Sequence, residues 1–153
     1  MKIEVRQLPS MRLACVRHVG PYYQIGAAFK QLNAWATEQG LRETTLVGVY
    51  HDDPRETPEA ELQSDAALIL PAGHDFTSDR GIAIMELPAG AYAVARVVGP
   101  YSELPQAWIE FWSQLQQAGY RDRSAPPLEL YGPMENVPPH ELVTELCIPI
   151  EAA

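Results

Sequence analysis

Glu145 is the first candidate for binding chemistry in this chain. It lies in the segment L-V-T-E-L-C-I, where strand alternation places its side chain on the same face as Val143 and Cys147. A carboxylate on an apolar face is unfavourable unless it is paired, hydrogen-bonded or bound to a cation. We therefore predict that Glu145 contacts a ligand. The alternatives are a solvated charge on an open sheet face and a structural partner for Arg17 or Arg96.

Asp65 occupies the corresponding position in a related segment earlier in the chain. Its side chain is shorter, and Gln63 and Ser64 precede it, so its surroundings are more polar than those of Glu145. Asp65 is a second candidate ligand contact. The alternative is a solvated or hydrogen-bonded carboxylate with no ligand.

Four aromatic residues complete the candidate ligand-binding set. Tyr50 and Tyr131 end equivalent predicted strands and are expected to flank a central cleft, although a tyrosine at a strand end also packs at the edge of a core. Trp108 lies on the apolar stripe of a predicted helix and belongs to the core, with its indole edge reaching the cleft. Trp112 lies off that stripe beside Ile109, where it forms a contact patch for a ligand or partner or packs against a loop.

Motifs for catalysis and metal binding are missing from the sequence. His18, His51, His74 and His140 form no pair at metal-ligand spacing, and a proline-rich loop explains the acidic residues that follow His51. The chain has no G-x-S-x-G segment, no glycine-rich phosphate loop and no Cys/His nucleophile arrangement. We therefore assign no catalytic residue, no metal site and no cofactor, and a binding protein is favoured over an enzyme.

Composition and charge narrow the class of protein further. A chain of 153 residues is long enough to bury one hydrophobic core. The net charge of −9 comes from 11 basic and 20 acidic residues, and the basic residues form no cluster. Because phosphate contacts need concentrated positive charge, we expect no direct nucleic-acid binding. No segment is typical of a signal peptide or membrane helix, so the expected compartment is the cytoplasm, where Cys15 and Cys147 are predicted to be reduced core residues.

An internal repeat organises the elements that must position these residues. Residues 8–22 and 87–101 share Leu-Pro at the start, a central Ala and Arg, and Val-Gly-Pro-Tyr at the end. Self-similarity of this kind reveals the architecture of a chain before any local pattern does. We therefore predict a single domain of two repeats, about 1–70 and 81–150, joined by a loop at 71–80.

Hydrophobic periodicity predicts the same elements in each repeat: strand, strand, helix, strand, strand. The helices end at Gly40 and Gly119, which are typical helix-terminating residues. Their apolar stripes indicate that each helix buries one side against the sheet. The predicted strands are 3–7, 11–19, 46–51 and 62–70 in the first repeat, and 81–87, 90–98, 128–131 and 142–150 in the second.

The fold class that follows is α+β. Two strand-strand-helix-strand-strand units form one antiparallel sheet with both helices on one face. The other face curves around a central cleft on a pseudo-twofold axis. The second strand of each repeat keeps a face of small residues, which suits close approach by a helix or a ligand.

With the repeat and Glu145 established, the chain resembles the GyrI-like small-molecule-binding family, which includes DNA gyrase inhibitory proteins and effector-binding domains of AraC-type regulators. The matching segments are the loop Y-H-D-D-P-R-E-T-P at 50–58, Leu62 and Asp65, and the second-repeat strand at 90–99. The resemblance implies a duplicated α+β fold whose cleft binds hydrophobic, often cationic molecules around a central acidic residue with aromatic rings beside it. It places Glu145 where relatives carry an acid in the last strand.

Three functions follow from the residues and the resemblance together. The first is binding of a hydrophobic, cationic small molecule in the cleft, for drug or toxin sensing or sequestration. The second is modulation of DNA gyrase as a protein partner, which protects against topoisomerase poisons. The third is hydrolysis of cyclopropane-bearing genotoxins, with Glu145 activating water beside a tyrosine.

Overall fold

The computed structural model describes residues 1–73, 76, 78 and 80–151. This part of the chain contains eight strands and two α-helices, which confirms the α+β class, and the strand bounds differ from the predicted ones by no more than two residues. His74 and three further residues of the predicted 71–80 loop lie outside the described residues. The elements are β1 (Ile3–Leu8), β2 (Met11–Val19), α1 (Gly26–Glu38), β3 (Leu46–Tyr50), β4 (Gln63–Ile69), β5 (Ala83–Leu87), β6 (Gly90–Val98), α2 (Leu104–Ala118), β7 (Leu128–Tyr131) and β8 (Val143–Pro149).

Two compact units form, and their bounds differ from those of the sequence repeats. One unit is Ser10–Pro88, and the other combines Met1–Pro9 with the chain from Ala89 onward. Strand β1 pairs antiparallel with β6, and β5 pairs antiparallel with β2. The first strand of each predicted repeat thus belongs to the unit that is built from the rest of the other repeat.

In the unit Ser10–Pro88, the strands lie in the order β3-β4-β2-β5, and every pairing is antiparallel. Helix α1 packs its predicted stripe against the small-residue face of β2, because short side chains there allow the helix to approach closely. Trp35 is buried in the same core. The buried residues of this core are Ala14, Val16, Ala28, Leu32, Trp35, Ala36, Ala66, Leu68, Leu70 and Ile82.

In the other unit, the strands lie in the order β1-β6-β8-β7, again with antiparallel pairing. Helix α2 ends at Gly119, whose φ of 79° is the left-handed conformation that glycine adopts at little cost. The helix buries its stripe against the alanines of β6. The core residues here are Ala91, Ala93, Ala95, Leu104, Ala107, Phe111, Leu115, Leu146, Ile148 and Ile150.

The strand faces directed away from the helices also carry buried side chains, among them Leu13, Tyr92 and Val94. Both cysteines lie on these faces as free thiols, which confirms the prediction of core cysteines. Burial raises the pKa of Cys15 and of Cys147 to about 12. No described helix is both long enough and apolar enough to span a membrane.

Candidate functional site

The carboxylate of Glu145 forms an ion pair. Glu145 lies on β8, on the face directed away from α2, and Arg6 Nη2 of β1 donates to its Oε2 at 2.6 Å. Hydrogen bonds to Glu145 and to Glu4 raise the pKa of Arg6 further above its ordinary value. The structural alternative for Glu145 was an ion pair with Arg17 or Arg96. That choice of partner is wrong, because Arg6 forms the ion pair. A ligand role for Glu145 stays a prediction, and a cation would have to compete there with Arg6.

Asp65 anchors a polar cluster in the unit Ser10–Pro88. Although it is only 2% exposed, it accepts hydrogen bonds from Arg17 Nε at 2.9 Å and His51 Nε2 at 2.5 Å. Burial alone would raise the pKa of Asp65, but the hydrogen bonds from His51 and Arg17 outweigh burial and lower it. Asp65 is therefore hydrogen-bonded within the protein and not solvated, and a ligand role for it stays a prediction.

Tyr50 packs against another tyrosine of the same unit. The rings of Tyr22 and Tyr50 meet edge to face with centroids 4.8 Å apart. The Tyr22 hydroxyl donates to the carbonyl oxygen of Asp52 at 2.6 Å, and Asp52 Oδ2 accepts from the Gln63 amide at 2.7 Å. Asp52 thus orders the loop that follows His51. This agrees with the sequence analysis, which explained the acidic residues of that segment by a proline-rich loop. Among the described residues, no three His, Cys, Asp or Glu side chains are placed to hold a metal ion.

Tyr131 and Trp108 converge on an acidic residue that the sequence analysis missed. Glu129 lies on β7 opposite Leu146, on the face directed toward α2, and is only 5% exposed. Trp108 Nε1 of α2 donates to Glu129 Oε2 at 2.6 Å, and the Tyr131 hydroxyl donates to Glu129 Oε1 at 2.5 Å. Two predicted site residues therefore meet at a buried carboxylate, and that carboxylate is not Glu145.

Further aromatic rings extend this site toward the surface. The ring of Tyr101 meets that of Tyr131 edge to face, with centroids 5.6 Å apart, and Trp112 stacks on Trp108 at 6.5 Å. Burial, and then the charge of Glu129, raise the pKa of Tyr101. We call Glu129, Tyr101, Tyr131, Trp108 and Trp112 the Glu129 cluster.

The Glu129 cluster has the composition of a site for an organic cation. Aromatic faces carry negative quadrupole density that attracts cations within about 6 Å of the ring centroid. Small-molecule sites combine predominantly apolar and aromatic walls with a few placed polar groups. The carboxylate of Glu129 and the four aromatic side chains supply both kinds of group in one unit of the chain.

A signal for Glu129 was present in the sequence. Strand β7 reads L-E-L-Y and its counterpart β3 ends in V-G-V-Y, so the repeat places Gly48 where the second copy has Glu129. Leu128 and Leu130 lie on the opposite face of β7 from Glu129, so the same-face argument for Glu145 does not apply, and the signal is the acid that replaces a glycine at the equivalent repeat position. Comparing the repeats position by position would have exposed this difference.

Comparison with known proteins gives matches over about three quarters of the chain or more. A family model described as the GyrI-like small molecule binding domain matches residues 1–151. DNA gyrase inhibitor 2 of Dickeya dadantii (strain 3937) is 36% identical over 115 residues, which cover 74% of this chain and 73% of that protein. The DNA gyrase inhibitor of Escherichia coli (strain K12) is 32% identical over 136 residues, covering 86% of this chain and 85% of that protein.

Solved structures with the same fold have lower sequence identity. EcmrR in the EcmrR–DNA complex matches with a TM-score of 0.80 and 17% identity. The match covers 99% of this chain and 58% of EcmrR, so this chain spans little more than half the length of EcmrR. SAV2435 bound to tetraphenylphosphonium matches with a TM-score of 0.70 and 17% identity, covering 99% of this chain and 94% of SAV2435. At these identities the likeness shows the fold alone.

Proposed function

Because the chain belongs to the GyrI-like small molecule binding domain family, we propose that it binds a hydrophobic, cationic small molecule and that the Glu129 cluster is the binding site. The observation that carries the proposal is the buried carboxylate of Glu129, which is hydrogen-bonded to Trp108 and Tyr131, with Tyr101 and Trp112 packed against those two rings. A delocalised cation gains from the carboxylate and from the ring faces at the same time.

Two features favour Glu129 over Glu145 as the central acid. Glu145 is engaged by Arg6 at 2.6 Å, so a ligand there has to displace a guanidinium. Glu129 lies on the α2 side of its sheet, with Trp108, Tyr131 and, next to them, Tyr101. The bound cation in SAV2435, a protein of the same fold, supports the choice of ligand class.

Isothermal titration calorimetry with tetraphenylphosphonium tests the proposal. The variants Glu129→Gln and Glu145→Gln form a matched pair for this experiment. Each substitution removes one charge and keeps the size of the side chain. We expect Glu129→Gln to weaken binding by about tenfold or more, the effect of about 1.4 kcal/mol. Glu145→Gln should leave the affinity within about twofold, since the cation does not contact it.

The opposite ranking of the two variants, or wild-type affinity in both, would exclude the Glu129 cluster as the cation site. Circular dichroism melting curves of each variant serve as the control for folding. The same titration with Asp65→Asn tests the third acidic candidate, whose carboxylate already accepts hydrogen bonds from Arg17 and His51.

A second candidate function is modulation of DNA gyrase. It is favoured by the relatives named DNA gyrase inhibitor at 32% and 36% identity. A supercoiling assay with purified gyrase tests it: inhibition should rise with protein concentration. No change in supercoiling at a large molar excess would remove this candidate. Hydrolysis of genotoxins and the lack of direct nucleic-acid binding stay predictions.

A further inference from the structure

Thr144 of β8 carries a buried hydroxyl for which no hydrogen-bond partner exists among the residues that the structure describes. The residue is 1% exposed. Leaving a buried hydroxyl unpaired costs free energy, and such a group in a native protein needs an explanation. Valine has the same shape without this cost, so packing alone does not account for a threonine here.

The position of Thr144 connects it with the Glu129 cluster. Thr144 lies directly opposite Tyr131 in the β7–β8 pairing, and Leu146, the next residue on the same face, lies opposite Glu129. Diagonal neighbours on one face of an antiparallel pair are about 7–8 Å apart. The hydroxyl of Thr144 is therefore within the length of one small molecule from the carboxylate of Glu129.

Tyr131 is the residue directly opposite Thr144 in the β7–β8 pairing. Its ring is half-buried, its own hydroxyl donates to Glu129 at 2.5 Å, and its neighbour Tyr101 is partly exposed. If the ring of Tyr131 turns aside, its hydrogen bond to Glu129 is released and the space beside Thr144 opens. A ligand that enters there can replace the lost donor with its positive charge and also reach Thr144.

We propose that Thr144 is a specificity-determining contact of the Glu129 cluster, which selects aromatic cations that carry an N–H donor in addition to their charge. This inference rests on the proposed function, because it assigns the substrate preference of the same site. The Thr144 hydroxyl accepts the ligand N–H, so the ligand satisfies a group that the unliganded protein leaves unpaired.

Ser64 of β4 provides a matched control within the same chain. It precedes Asp65 as Thr144 precedes Glu145, it is fully buried, and its hydroxyl also has no hydrogen-bond partner in the described part of the chain. Ser64 lies opposite Tyr50, on a pair of strands where Gly48 stands in the place of Glu129. Its removal should therefore leave cation binding unchanged.

The experiment compares two planar cations, proflavine and 10-methylacridinium, which share a ring system but differ in the amino groups. We expect Thr144→Val to weaken proflavine binding about tenfold and to leave 10-methylacridinium binding within about twofold. Thr144→Ser keeps the hydroxyl and should restore proflavine binding. Ser64→Ala should change neither affinity.

Unchanged proflavine affinity in Thr144→Val, or an equal loss for both cations, would overturn the inference. If Thr144→Val does not fold, Thr144→Ala gives the same comparison, and melting curves identify which variants are folded. Glu129→Gln separates the two proposals. When Glu129→Gln weakens both cations and Thr144→Val weakens neither, only the Thr144 inference fails. When neither cation binds the wild-type protein, or Glu129→Gln has no effect, the proposed function fails as well.

Discussion

Replacing Asp65 with Asn tests whether the polar cluster of the unit Ser10–Pro88 stabilises the fold. Asp65 is 2% exposed, and its two oxygens accept from Arg17 and from His51. Asparagine keeps the shape but loses the charge. It also turns one acceptor oxygen into an NH2 donor, which then faces a donor of Arg17 or of His51.

The expected loss of unfolding free energy follows from the exposure of the partners. Breaking one side of a buried ion pair costs about 3–5 kcal/mol. The side chain of Arg17 is 48% exposed, so it regains water when its partner is lost. We therefore expect Asp65→Asn to destabilise the protein by about 2–3 kcal/mol, at or below the lower end of that range. The side chain of Glu145 is 26% exposed, against 3% for Asp65, so breaking its pair with Arg6 in Glu145→Gln should cost about 1 kcal/mol or less.

Urea denaturation at pH 7, followed by circular dichroism, measures both variants. The pH dependence provides a second readout. Because the pKa of Asp65 is lowered in the folded protein, its stabilisation is complete above the unfolded pKa of about 4 and is lost as the pH falls through the folded pKa. The difference between wild type and Asp65→Asn should therefore shrink as the pH falls below about 4. A loss no larger than that of Glu145→Gln, or a difference that grows in acid, would refute the reasoning.

Two further predictions concern the cores. Burial raises the pKa of both Cys15 and Cys147 to about 12. Neither thiol should therefore react with Ellman's reagent at pH 8 in the folded protein, and both should react after denaturation. Rapid labelling of the native protein would contradict this prediction. Phe111 of α2 is fully buried in the core of its unit, so Phe111→Ala should lower the unfolding free energy, measured in urea, by about 3–5 kcal/mol. A loss below about 1 kcal/mol would show that it contributes little to this core.

Elements that depend on local signals were predictable from the sequence. The alternation of β2 and β6, the apolar stripe of α2 and the terminating Gly119 all correspond to elements of the structure. These signals need only neighbouring residues, since strand period, helix period and a left-handed cap are properties of short segments. The two-repeat domain with a cleft between the repeats stays a prediction.

The pairing of β1 was not predictable in the same way. The first strand of each repeat ends in a leucine that is followed by proline, at Leu8-Pro9 and Leu87-Pro88, so both turns begin in the same way. The local sequence therefore allows either first strand to pair with either second strand, and long-range packing determines which pairing forms. Strand β1 pairs with β6, and this pairing brings Arg6 to Glu145.

The candidate site was predicted in part. Tyr131, Trp108 and Trp112 were selected from the sequence and do lie together, but the acid between them was not selected. Glu145 was predicted as the central acid because its strand β8 is longer and more apolar than β7. Its ion pair with Arg6 was not predicted, because that contact depends on the pairing of β1 with β6. Burial and hydrogen bonding of Glu129 depend on how α2 packs over β7, which no local pattern reveals.

A crystal structure with bound tetraphenylphosphonium tests the central claim most directly. The account predicts that the phosphorus lies within about 6 Å of the ring centroids of the Glu129 cluster, with the Glu129 carboxylate directed toward it. A cation bound beside Glu145 in place of Arg6, with the hydrogen bonds of Trp108 and Tyr131 to Glu129 unchanged, would contradict the account.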